Sequence, residues 1–125
     1  MSRRASARVA RNFHRNLESI RAYLEENAGS GAFDALLGEL FDTLIPTLES
    51  SPAIGFDFLA RRPGSFEGVP RVKALQARLG KSASIREYIA GDYLILYVLR
   101  EDEVTLLAIK HHLQLSFDLR GHWGR

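Results

Sequence analysis

Residues 84–112 read SIREYIAGDYLILYVLREDEVTLLAIKHH, and the period of this stretch decides the fold. From Ser84 to Ile89 the residues alternate, with Ile85 and Ile89 on one side and Arg86 and Tyr88 on the other, as in a strand with unlike faces. Gly91-Asp92 supplies a turn. Tyr93 to Leu99, YLILYVL, is apolar on both faces and is predicted to be central in its sheet. The charged run Arg100-Glu101-Asp102-Glu103 makes the next turn. A third strand runs from Val104 to about His112 and loses its apolar character at Lys110-His111-His112. Residues 84–112 are thus expected to form an antiparallel meander.

A meander with an apolar face needs a second layer, and the residues upstream supply it. Phe13, Leu17, Ile20 and Leu24 recur at helical spacing, with Asn12 a candidate N-cap and Ala28-Gly29-Ser30-Gly31 the stop, which predicts a helix over 13–28. Phe33, Leu36, Leu37, Leu40, Phe41, Leu44, Ile45 and Leu48 give a wide apolar stripe for a second helix over 32–48, kinked or ended at Pro46. The short linker between them folds the pair into an antiparallel hairpin. Residues 5–12 admit a short edge strand. Residues 49–70, with Pro52, Gly55, Pro63, Gly64, Gly68 and Pro70, read as a loop of little regular structure, and 70–79 as a short helix ended by Gly80. In the tail, 113–125, Leu115, Phe117, Leu119 and Trp123 need a surface to cover. The expected architecture is α+β in two layers: an N-terminal helical hairpin packed on a C-terminal antiparallel β-meander, in a single domain over 1–125.

Composition narrows the classes of function. The chain has 125 residues, 46% of them hydrophobic, enough for one core. It has no cysteine, which excludes disulfides and thiolate metal sites and fits a reducing cytoplasm. The longest apolar run is too short to span a bilayer, and no export signal is expected. Net charge is only +2, yet its sign changes by segment. Up to Arg21 six arginines face Glu18 alone; from Ala22 to Ala60 there are seven acids and no lysine or arginine; from Arg61 to Arg86 seven basic residues face Glu67. A fold that gathers the first and third segments carries a basic surface suited to an acidic partner, protein or nucleic acid; otherwise this is ordinary solvated charge.

Candidate chemistry concentrates at the end of the last strand. Period two places Lys110 and His112 on one face and His111 on the other, so the two histidines do not address one bound group. A histidine there suits acid–base work at neutral pH, or else one is hydrogen-bonded in the core and the other exposed. Adjacent histidines diverge, so no metal site is expected. Ser116, His111 and Asp118 make a triad in composition only, without a nucleophile elbow, and no phosphate-binding loop of the P-loop or dinucleotide type is present. Arg86 and Tyr88 share a strand face and could hold a phosphate and stack a base, or serve solubility. Tyr93 and Tyr97 share a face with Ile95 and are core residues with polar tips.

The run SIREYIAGDYLILYVLREDEVTLLAIKHHLQLSFDL, together with FHRNLESIRAYLEE (13–26) and SPAIGFDFL (51–59), resembles the ParE/RelE superfamily of toxins, in the order strand, turn, G-D-Y-x-I-L-Y strand and histidine-ended strand. The resemblance implies the toxin of a type II toxin–antitoxin, or plasmid-stabilisation, system. Such a toxin inhibits growth and is neutralised by a cognate antitoxin whose C-terminal segment wraps it, with operator DNA reached only through the antitoxin. No cofactor is expected, and the short apolar runs lead to no expectation of a membrane partner. RelE-like members cut mRNA on the ribosome, whereas ParE-like members inhibit DNA gyrase without being nucleases. The RelE-like central strand begins Tyr-Arg, but here Tyr93 is followed by Leu94, which cannot stabilise a phosphorane, and Leu113 stands where relatives often carry a basic residue. A nuclease would have to work with Arg86, Lys110, His111 and His112. The ParE-like branch is favoured, the ribosome-dependent nuclease and a degenerate non-toxic binding module being the alternatives. Arg86, Tyr88, Phe117 and Trp123 are the expected partner contacts.

Overall fold

The computed structural model describes residues 5–27, 29, 31–57 and 69–111 and begins with strand β1 (Ser6–Val9) and helix α1 (Arg11–Asn27). A second helical stretch runs as α2 (Ala32–Glu39), a π-helical turn (Leu40–Leu44) and α3 (Ile45–Ser50). There follow β2 (Phe56–Asp57), α4 (Val69–Leu79), β3 (Ala83–Ala90), β4 (Tyr93–Arg100) and β5 (Glu103–His111). The strands make one sheet in the order β1-β5-β4-β3-β2, antiparallel except for the parallel β1–β5 pair. The α+β class and the hairpin-on-meander arrangement are as expected, with the sheet mixed rather than wholly antiparallel. Gly91 opens the β3–β4 turn at φ 59°, a left-handed value that glycine adopts without strain.

Alternation sends the strand side chains to two faces, and both are covered. On one, Ile95, Tyr97, Leu106 and Ile109 meet Phe13, Leu17, Ile20 and Leu24 of α1 and Leu36, Leu40, Leu44 and Leu48 of the second helical stretch. On the other, Ile85, Leu96, Val98, Leu107 and Ala108 pack with Leu75 and Leu79 of α4 and with Ala10. This double cover is why β4 is apolar throughout. Ile89 shares the side of Ile85, as its alternation predicts, but is 54% exposed, because the cluster built by α4 takes in Ile85 and stops short of Ile89.

Three local expectations differ from what forms. Asn12 is no N-cap; the helix starts at Arg11, and Asn12 is buried, its Nδ2 donating to Leu107 O at 3.1 Å. One turn on, buried Asn16 accepts the Ile109 N–H on Oδ1 at 3.0 Å. The reason lies in β1, which pairs with β5 only up to Val9↔Leu106, with Ala10 N–H closing on Leu106 O at 2.9 Å. Past that point, and past a β-bulge opposite Leu96/Tyr97, the two amides take over β5's polar groups on that side.

Pro46 neither ends nor sharply breaks its helix, which continues to Ser50. The adjustment comes earlier, where Ile45 N–H reaches back five residues to Leu40 O in the π turn, widening the helix just ahead of a residue that has no N–H to give. Third, the stretch 49–70 contains the two-residue strand β2, pairing Phe56 with Glu87 and Asp57 with Arg86. The tail from residue 112 lies outside the described residues.

Replacing Asn16 with Ala leaves the buried Ile109 N–H without its acceptor, a loss of about 1–3 kcal/mol. A urea unfolding curve is expected to shift to a lower midpoint with little change in slope.

Candidate functional site

The best-defined polar constellation sits where β3 and β4 meet the segment after α3. Tyr97 is fully buried in β4, and its hydroxyl donates to Pro52 O at 2.7 Å while accepting Gly55 N–H at 3.0 Å. Arg86, its partner across the ladder, donates Nη1 to Gly55 O at 2.6 Å and to Ala53 O at 3.2 Å, and Nε to Ser84 Oγ at 3.1 Å. Gly55 is required here for space. A Cβ on it would lie 2.9 Å from Glu87 O and equally close to the Tyr97 ring and hydroxyl. Two strand side chains thus pin residues 52–55 as if they were an extra strand.

This anchorage presents apolar groups to solvent. Ile54 is 49% exposed in the pinned segment, and Phe56, the first residue of β2, is 63% exposed. Phe56 pairs with Glu87 and therefore shares a sheet face with the exposed Ile89. Burial raises the Tyr97 pKa above its usual 10.0; the Gly55 hydrogen bond and the Arg86 charge pull it down, and Tyr88 pushes it up.

The residues singled out for chemistry do not converge. Arg86 is occupied by loop carbonyls, and Tyr88 packs half-buried against the hairpin-side core instead of offering a stacking face. Lys110 is buried on the opposite side of the sheet, across from Leu94. His111 lies on the hairpin side opposite Tyr93, with ring centroids 5.2 Å from Tyr93, edge-on, and 5.8 Å from Tyr23 of α1. Burial raises the Tyr93 pKa, helped by Asp92 and Tyr23. From Arg86 to His111 the register spans two strands sideways and about four residues along, roughly 16 Å between backbones. His112, Phe117 and Trp123 lie outside the described residues. Among the described residues no group of three or more histidine or carboxylate side chains is placed to hold a metal ion, and no helix is long and apolar enough to cross a membrane. The Tyr97–Gly55 contact went unread in the sequence, where only Tyr97's place as a core residue with a polar tip was visible.

A helix hairpin laid over a mixed sheet, whose buried central tyrosine holds the post-hairpin segment, is an α+β arrangement consistent with the fold of ParE toxins. The family model described as the ParE toxin of type II toxin–antitoxin systems, parDE, matches residues 7–115. The chain belongs to that family. No curated protein and no solved structure matches it. Toxins of this type pair with an antitoxin.

Tyr97→Phe keeps the ring and removes both hydroxyl bonds, an expected loss of about 1–3 kcal/mol read as a lower urea midpoint and faster proteolysis after α3. A raised folded pKa favours the protonated phenol, so this contribution is intact below pH 10.0 and is lost as pH climbs toward the folded value. Stability of the parent should therefore fall above about pH 10, and less steeply in Tyr97→Phe, where only Tyr93 keeps the effect. Gly55→Ala should destabilise by about 1–3 kcal/mol through crowding against backbone and ring.

Proposed function

We propose that this toxin arrests bacterial growth by binding DNA gyrase in the cytoplasm, without catalysing a reaction itself, and that a cognate antitoxin neutralises it by covering its surface. The observation that carries the reading is the dispersal, among the described residues, of the groups a nuclease would need. Cutting RNA requires proton transfer at the 2′-hydroxyl and a cation on the developing phosphorane, within a few ångströms of each other. Here the guanidinium of Arg86 is spent on Ala53 and Gly55, Lys110 lies on the far face, and His111 sits between tyrosines. Leu94 sits where the RelE-like arginine would be. Membership of the ParE family supports the same target.

A non-catalytic inhibitor works through contact, and contact energy concentrates in apolar anchors. Ile54, Phe56 and Ile89 supply three beside the Tyr97 clamp. With Phe117 and Trp123 of the tail they are the proposed contacts for protein partners, while operator DNA is read by the antitoxin.

The test is a supercoiling assay with purified toxin and gyrase. Supercoiling is expected to be blocked, and mRNA in a translating extract to stay intact. His111→Ala is expected to retain growth arrest. Normal supercoiling together with cleaved mRNA would transfer the assignment to the ribosome-dependent nuclease, and growth unaffected by expression without antitoxin would leave only a binding module.

A further inference from the structure

We infer that the outward face of the first two turns of α1 is a contact for the phosphate backbone of duplex DNA. The buried face of α1 is fixed by Asn12, Phe13, Asn16, Leu17, Ile20 and Leu24. That rotation turns Arg11, His14, Arg15 and Glu18 outward, and all four are exposed.

The other described arginines in this part of the chain have partners within the fold. Arg8 pairs with Glu103 at 3.2 Å, and Arg21 with Glu25 at 3.2 Å and Glu18 at 3.9 Å. Arg11, His14 and Arg15 take part in no side-chain hydrogen bond or ion pair among the described residues. Their placement is locally unfavourable. Two arginines four apart repel, and Arg11, a cation in a first helical turn that contains no acid, opposes the helix dipole. A row that works against its own helix is explained by something outside it.

The chemistry selects the occupant. A protein partner would need an apolar or aromatic anchor at the centre of the contact. Among the described residues the exposed large hydrophobics are Tyr23, Phe41, Ile54, Phe56 and Ile89, none of them in this row. A row that leads with two arginines, and whose one carboxylate, Glu18, already faces Arg21, fits a polyanion. Arg11 and Arg15 stand about 6 Å apart along the helix axis, far enough for each to reach its own phosphate on one strand of duplex. Such contacts position a protein on DNA and carry no sequence information, so they add to the antitoxin's reading of an operator without replacing it. The inference stands apart from the gyrase reading, because it concerns DNA alone.

The experiment is fluorescence anisotropy of a labelled duplex of arbitrary sequence with the purified full chain, without gyrase or antitoxin, at about 50 and about 200 mM salt. The parent should bind at the lower salt and weaken at the higher. In Arg11→Gln/Arg15→Gln the loss of two phosphate contacts should shrink that salt-driven fall by about tenfold, while Arg21→Gln binds as the parent does. Thermal melts check that both variants are folded. The inference is overturned if the parent does not bind duplex at the lower salt, or if the double variant keeps the parent's salt dependence. Tighter binding of single-stranded RNA, or of polyglutamate, than of duplex overturns it equally, assigning the row to RNA or to an acidic protein.

Discussion

Past Leu106 strand β5 loses the neighbour it had in β1, and the amides of Asn12 and Asn16 take that neighbour's place. An unfilled backbone group at this depth costs on the order of 1–3 kcal/mol, so the two amides are a condition of the sheet's being buried at all. They also tie α1 to β5 at two points one turn apart, which leaves the helix no freedom to roll. Phe13, Leu17, Ile20 and Leu24 are thereby aimed at Ile95, Tyr97 and Ile109, and the second helical stretch then closes the layer. The rotation of α1 decides which arginines face solvent.

A second consequence concerns residues that look chemical in the sequence. Buried tyrosine hydroxyls and half-buried arginines must find partners, and here both find the same four-residue segment after α3. Arg86 donates to two carbonyls that no strand claims, and Tyr97 bridges Pro52 and Gly55. Each group satisfied in this way is withdrawn from catalysis. What the clamp achieves is display: residues 52–55 are tied to the sheet by side-chain hydrogen bonds, with Ile54 and the adjoining Phe56 exposed.

How much of this was readable in advance depended on the range of the interaction. The stripes Phe13–Leu24 and Leu36–Leu48 and the alternation within β4 are set by local period, and the core takes them as written. Period two likewise separates Lys110 from His111. Asn12 was misread because an N-cap and a buried amide look alike until the end of β1 is known. β2 is two residues long and has no period to detect. Ile89 shares the alternation of Ile85, but its exposure is decided by how far α4 reaches, which no pattern within β3 encodes. The Tyr97 hydroxyl bonds residues 42 and 45 positions away in sequence. A polar tip in a core predicts that a partner exists, not which one.

The alternation of charge along the chain acquires meaning only once the segments are placed. Ala10, just before α1, and Leu75 and Leu79 of α4 pack against one and the same buried cluster, on the sheet face away from the helix hairpin. Arg78, in the last turn of α4, is exposed on the favourable end of its helix, while Arg11 stands on the unfavourable end of its own. Folding stability explains the first position and argues against the second. The acidic stretch goes to the outer side of the second helical stretch, where Asp34, Glu39 and Asp42 are exposed with no lysine or arginine in that stretch. A stable fold alone would have interleaved these signs as i,i+4 pairs, as it does at Arg21 and Glu25. Keeping them apart in the chain forgoes that local stabilisation, since Asp34, Glu39 and Asp42 have no residue of opposite sign within their own helical stretch.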